Sequence, residues 1–255
     1  IWTGWLGSIL VKQFGIDVLL YGVMGLLLVL LPMARVLASR EPPKSISAEE
    51  KVIFDFRTLR ERDWVKFVIV GTFLMSLITN LVDYEFKIHV QRSMDRNAMG
   101  VFLAWFHGLT NLAILLIQFV AVGPVLRHFG LAFAFALQPF LLVAGGLVCV
   151  LQPNLLTAVG LRFLDSLLKF TFQADGQEIA LAPVEGVERS QVKAFLKGVI
   201  YPLGGLCAGV ALPVLAYLGE ERFIIGSIIA VSLLWLALAR RAQDSRIRTG
   251  PLKGA

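Results

Sequence analysis

Residues 64–93, "WVKFVIVGTFLMSLITNLVDYEFKIHVQRS", decide how the chain is read. The stretch opens on an apolar run of the roughly 20-residue length that crosses a bilayer as a helix. It ends with Asp83, Glu85 and Lys87 inside five residues. Similar apolar runs recur along all 255 residues, which are 57% hydrophobic and only 16% charged. Soluble domains carry about a quarter charged residues, so these runs are membrane helices rather than core helices. Open sheet is excluded because its edge groups would go unsatisfied in lipid. The expected fold is all-α, a polytopic membrane protein.

Working outward gives seven to eight helices. A leading segment at residues 1–14 reads as the end of a truncated helix. Further helices are expected at about Ile16–Ala38, Trp64–Gln91, Met99–Leu126, Leu131–Leu151, Leu155–Pro183, Val192–Leu218 and Phe223–Arg241. Residues 39–63, "SREPPKSISAEEKVIFDFRTLRERD", form a polar linker in which Pro42-Pro43 stops any helix. The chain opens inside a hydrophobic segment without an initiator Met, as a piece of a longer protein would. "GWLGSILVKQFGIDVLL" and "GLCAGVALPVLAYLGEERFII" echo one another as helix, Gly-bearing turn and helix. That echo divides the chain into residues 1–38 (the last two helices of an N-terminal half), a linker at 39–63, a six-helix half at 64–245 and a tail at 246–255.

The net charge is +6. Its lysines and arginines lie mostly in short loops, which points to orientation in the bilayer and away from nucleic acid. Arg35, Arg40, Lys44, Lys51, Arg57, Arg60, Arg62, Lys66, Arg127, Arg189, Lys193, Arg240, Arg241, Arg246 and Arg248 fall on one side. Lys12, Arg92, Arg96 and Arg222 fall on the other. The excess places the linker and the C-terminus in the cytoplasm. Cys149 and Cys207 lie in apolar runs and imply neither a disulfide nor a metal framework. No phosphate loop, zinc-helix, nucleophile-elbow or CxxC pattern occurs. The reading is a protein that is not an enzyme and needs no cofactor or metal.

Two rows of polar residues carry the functional signal. Thr72, Ser76, Asn80, Asp83, Lys87 and Gln91 are spaced by three or four and share one helix face. Asp83 and Lys87 are i,i+4 partners, while Glu85 falls nearly opposite and is left out of the row. A competing account treats this end as charges reaching into headgroups. Arg162, Asp165, Lys169 and Gln173 form a second one-face row, with Lys169 near mid-span. A charge at that depth costs about 2.5–3.5 kcal/mol or more, so it faces a bundle interior or aqueous cavity beside a partner. The competing account here is a purely structural ion network. Asp175 and Glu178 lie off this face; Gly176 between them is expected to loosen the helix. Glu178 is expected to pair with Lys193 or Lys197. Lys197 sits about a turn inside the next helix, where Pro202 can kink the chain and Gly204, Gly205 and Gly209 allow close packing. His107 reads as a satisfied core histidine.

"GPVLRHFG" resembles the Gly-to-Arg-x-x-Gly turn of the major facilitator superfamily. That resemblance implies a partial bundle, about eight of twelve helices, in which both charged rows line a central cavity. "RFLDSLLKFTFQADGQEIALAPVEGVERSQVKAFLKGVIYPLGG" and "NLVDYEFK" are similar to the ATP/ADP translocase family, the nucleotide transporters of plastids and intracellular bacteria. Asp175, Glu178, Pro183, Lys193, Lys197, Gly204 and Gly205 stand where that family's charged helix, loop and Gly-rich helix have their marked residues. The resemblance implies exchange of an anionic, nucleotide-like solute by alternating access. Asn80, Asp83, Lys87, Arg162, Asp165, Lys169, Gln173 and Lys197 would line the substrate site, with Asp175, Glu178 and Lys193 as gating ion pairs. The family's Lys-Glu pair reads Gln177-Glu178 here, one positive charge fewer. That difference favours the alternative, a transporter-derived membrane sensor or scaffold without net transport, linked to a cytoplasmic regulatory domain; an appended cytoplasmic domain or a homo-oligomer is the expected protein partner.

Overall fold

The computed structural model describes residues 17–40, 63–184, 186–217 and 221–249, and its elements are helices. They are α1 (Asp17–Arg40), α2 (Asp63–Ser93), α3 (Arg96–Ile117), α4 (Gly123–Leu151), α5 (Leu155–Leu168), α6 (Ala174–Ala180), α7 (Gly186–Phe195), α8 (Tyr201–Tyr217) and α9 (Glu221–Thr249). The expected leading segment at 1–14, residues 41–62 of the linker and the tail beyond 249 lie outside the described residues. The last helix is longer than the sequence suggests, running eight residues past Arg241 to Thr249.

Four apolar stretches among the described residues are long enough to cross a membrane: Val65–Ser93, Arg96–Leu151, Glu188–Tyr217 and Arg222–Arg241. With the composition, they define an all-α membrane protein. The stretch 155–180 is not among them, because Arg162, Asp165 and Lys169 interrupt its apolar character. The chain divides into two compact units, Ile1–Phe56 with Met94–Asn111, and Arg57–Ser93 with Leu112–Ala255. In the first, α1 exposes Tyr21, Leu26, Leu28 and Val29. The start of α3 is capped by Asp95, whose Oδ2 accepts from the backbone N–H of Asn97 at 3.3 Å and Ala98 at 3.4 Å.

The second unit carries both charged rows. Its helix ends follow local chemistry. Pro153 cannot continue α4, and Asn154 then caps α5 in a reciprocal box with Thr157 (3.0 and 3.3 Å). Gly130 breaks α4 near its start with φ +76°, a left-handed conformation that glycine adopts without a Cβ penalty. The expected turn at "GPVLRHFG" falls on this break. Val122 before it and Ala134 after it share one apolar cluster with Leu168 and Phe172.

Three helices widen by a π-turn, at Gln118–Val122, Lys169–Gln173 and Leu196–Ile200. Two of them stand two residues ahead of Pro124 and Pro202, which have no N–H to give the preceding turn. The third has no proline and begins at Lys169. The helix was expected to loosen at Gly176. It continues there instead, and the buried Gly176 packs against Leu131 and Phe135.

The unit's core is Ile78, Leu81, Val82, Leu142, Leu161, Ile225, Ile228 and Trp235. Around it α2 packs against α5, α8 and α9, while α4 packs against α5 and α9. Gly204 brings α8 tightly onto α2: a Cβ there would stand 2.7 Å from the Phe73 carbonyl oxygen and 2.7 Å from Ser76 Cβ.

Candidate functional site

The packing of α5 on α2 joins the two rows. Arg162 is the bridge: Nη2 reaches Asp83 Oδ1 on α2 at 3.1 Å, and Nη1 donates to Asp165 Oδ2 at 2.9 Å. The second oxygen of Asp83 holds Lys87 Nζ at 2.6 Å. Asp165 is fully buried. Its Oδ1 accepts from Gln138 Nε2 on α4 at 3.1 Å and from Thr79 Oγ1 on α2 at 3.3 Å. Neither Gln138 nor Thr79 belonged to the expected site. Thr79 lies beside the α2 row rather than in it, and Gln138 sits alone in an apolar run; only its presence there could have drawn attention.

The expected partnering of Arg162, Asp165 and Lys169 holds for the first two alone. Lys169 turns to α8, where Nζ donates to Tyr201 Oη at 2.7 Å and lies 5.1 Å from the Tyr201 ring centroid and 5.0 Å from that of Phe170. These are cation–π distances. Among the described residues Lys169 forms no ion pair. Tyr201 is itself fixed to α2, its carbonyl accepting from Ser76 Oγ at 2.6 Å. Sequence spacing missed Tyr201 because it comes from another helix.

The other predicted residues take separate places. Asn80 donates from Nδ2 to the Ser76 carbonyl of its own helix at 2.8 Å. Gln173 is buried, its Nε2 donating to the Phe135 carbonyl at 3.3 Å, since the π-turn that starts at Lys169 takes it off the Lys169 face. Gln177, one turn on, donates to Thr72 Oγ1 at 3.1 Å. Glu178 was expected to meet Lys193 or Lys197. It binds Lys193 Nζ at 2.5 Å and Arg189 Nη2 at 3.0 Å, tying α6 to α7. Asp175 joins none of these bonds, and Lys197 is exposed rather than held in the network. His107 is exposed, contrary to the expected core position, with its ring edge-on to Phe106 at 5.4 Å. The buried acid that the spacing set aside, Glu85, is 1% exposed.

The formal charges of Asp83, Lys87, Arg162, Asp165 and Lys169 sum to +1. Arg162 Nε is buried without an acceptor among the described residues. The cluster therefore has one cationic charge in excess, one unused guanidinium donor and an ammonium held only by a phenol and two ring faces. Such an arrangement can accept an anion. Among the described residues no group of His, Cys, Asp and Glu is placed to hold a metal ion.

Fold and site together define a polytopic α-helical membrane protein with a bridged ion network between helices of one unit. No known protein family, curated protein or solved structure matches the chain.

Proposed function

We propose that the chain is part of a secondary transporter for an anionic, nucleotide-like solute, working by alternating access. The observation that carries the reading is Lys169. It stands on a helix whose neighbouring charges are paired, yet its own charge meets no carboxylate. An intramembrane cation of this kind marks a solute path by default. Lys169 and the unused Nε of Arg162 would hold the anion, Tyr201 would orient Lys169, and Asp83 and Asp165 would keep Arg162 in place. Lys87, exposed at the end of the row, would meet the solute on entry. A binding site between repeats near the bilayer midplane is the general design of such proteins. Exchange of one anion for another would keep the excess cation from standing unneutralised in a low-dielectric site. The resemblance to the ATP/ADP translocase family supplies the nucleotide.

Lys169→Gln tests this. A charge-assisted hydrogen bond contributes about 1.5–3 kcal/mol, so nucleotide affinity should fall roughly 10- to 150-fold. Stability should change little, because Asp165 keeps Arg162, Gln138 and Thr79. Both quantities are measured on one purified variant, by nucleotide titration and by thermal unfolding. Unchanged affinity with a large stability loss would leave Lys169 a structural residue and end the substrate-site reading.

A further inference from the structure

Glu85 is the charge that the one-face row of α2 leaves out, and it has the most demanding surroundings on that helix. It is 1% exposed, and neither carboxylate oxygen has a hydrogen-bond partner among the described residues. Asp83 and Asp165 each hold a cation directly. A buried carboxylate without donors is costly, whereas a neutral carboxyl group is far less so. One turn on, His89 is 9% exposed. Its Nδ1 lies 3.0 Å from the Glu85 carbonyl oxygen and 3.4 Å from Glu85 Oε1. A carbonyl only accepts, so Nδ1 carries the hydrogen here, and Nε2 is the ring atom that can take a proton.

Beyond His89 the helix ends in the exposed Gln91, Arg92 and Ser93. His89 thus stands between the acid and the end of the helix. The charged groups acting on Glu85 are His89 and Arg92 of its own helix. From α4 the Cys149 thiol lies within electrostatic reach, itself beside the Thr157 hydroxyl of α5. The helices α5, α8 and α9 also pack on α2.

We propose that Glu85 and His89 form a proton-binding site near the end of α2, in which Glu85 stores a proton as a neutral carboxyl group and His89 exchanges it with water. In uptake, Nε2 takes a proton from hydronium, leaving water, and the Nδ1 hydrogen passes to Glu85 Oε1. The ring is left neutral with its hydrogen on Nε2, and the carboxylate becomes the acid; release is the reverse. No other reactant is needed. The site stands independently of the anion reading, since it shares no residue with it.

The test uses the whole chain, purified in detergent. Infrared difference spectra are taken between about pH 8 and about pH 5, the window where histidine changes charge. The chain should show the carbonyl band of a protonated carboxyl group, with a shift on transfer to heavy water. Glu85→Gln should lose that band and flatten the pH dependence of the melting temperature without lowering it. His89→Gln should keep the band but slow its deuterium exchange severalfold. A Glu85→Gln spectrum identical to the parent overturns the proposal. So does an equal loss of melting temperature at every pH. If Glu85→Gln fails to fold, the parent and His89→Gln decide. A band slowed in His89→Gln supports the site; the lack of any band, or a band whose exchange His89→Gln leaves unchanged, overturns it.

Discussion

Arg162 holds Asp83 with one terminal nitrogen and Asp165 with the other, so two helices depend on one guanidinium. The two acids differ in surroundings. Asp165 is completely buried and held by Arg162, Gln138 and Thr79, while Lys87, which completes the Asp83 end, has a side chain 63% exposed. Breaking one partner out of a buried ion pair costs about 3–5 kcal/mol, because the other charge is left uncompensated. An exposed pair contributes about 0–1 kcal/mol. Asp165→Asn should therefore destabilise the fold severalfold more than Lys87→Gln, measured as unfolding free energy in a detergent titration. Similar losses from the two variants would mean that Asp83 alone is enough to hold Arg162. Spacing alone indicated the Asp83–Lys87 and Arg162–Asp165 pairs, because both are local on a helix. It could not indicate Tyr201, Gln138 or Thr79, which reach the network across helix contacts that no local period encodes. Glu85 was passed over for a related reason. Its position opposite the polar row says nothing about whether that face meets lipid or protein.

At the scale of the element, Gly204 has a consequence for the site. Its missing Cβ lets α8 lie on the Phe73 carbonyl and Ser76, and that approach brings Tyr201 to both Ser76 and Lys169. Gly209, on the same helix, has nothing within 4 Å of where a Cβ would stand. Gly204→Ala should cost about 1–3 kcal/mol through forced displacement of packed backbone. Gly209→Ala should be neutral or stabilising by up to about 1 kcal/mol, since alanine limits the unfolded chain and favours the helix. Melting temperatures of the two variants check this, and equal effects would show that α8 slides without cost. Helix positions were legible because apolar runs and flanking charges define them. The π-turns were not. Pro124 and Pro202 account for two of them only once the helix is known to continue through the proline. The turn at Lys169 has no proline to mark it, and it is why the even spacing to Gln173 failed to keep the two residues on one face.

For the whole molecule the open question of sidedness has a physical answer that can be measured. Gly130 splits the long Arg96–Leu151 stretch, and α5 with α6 supplies a further apolar length that its three charges conceal. If each of these stretches crosses, the region from α2 to α9 makes an even number of crossings, and both its ends are expected on one side. On that count Arg127 near the Gly130 break and Arg189 and Lys193 on α7 would share that side, together with Arg240, Arg241, Arg246 and Arg248. The opposite ends carry Arg92, Arg96 and Arg222. Short loops rich in lysine and arginine stay in the cytoplasm because they are retained during insertion, and acidic residues contribute little. An odd number of crossings would set these two groups of charges against each other, so the count and the sidedness stand or fall together. Cysteine scanning separates the outcomes. Cys149 is buried and Cys207 exposed among apolar residues, so both are first replaced. Single cysteines at Ser45, Ser245 and, on the other side, Ser93 are then treated with a membrane-impermeant thiol reagent on intact cells. Ser93→Cys should react from outside, while Ser45→Cys and Ser245→Cys should react only after the membrane is opened. Labelling of Ser45→Cys but not Ser245→Cys from outside would mean an odd number of crossings. Labelling of both, with Ser93→Cys protected, would keep the helix count and invert the orientation.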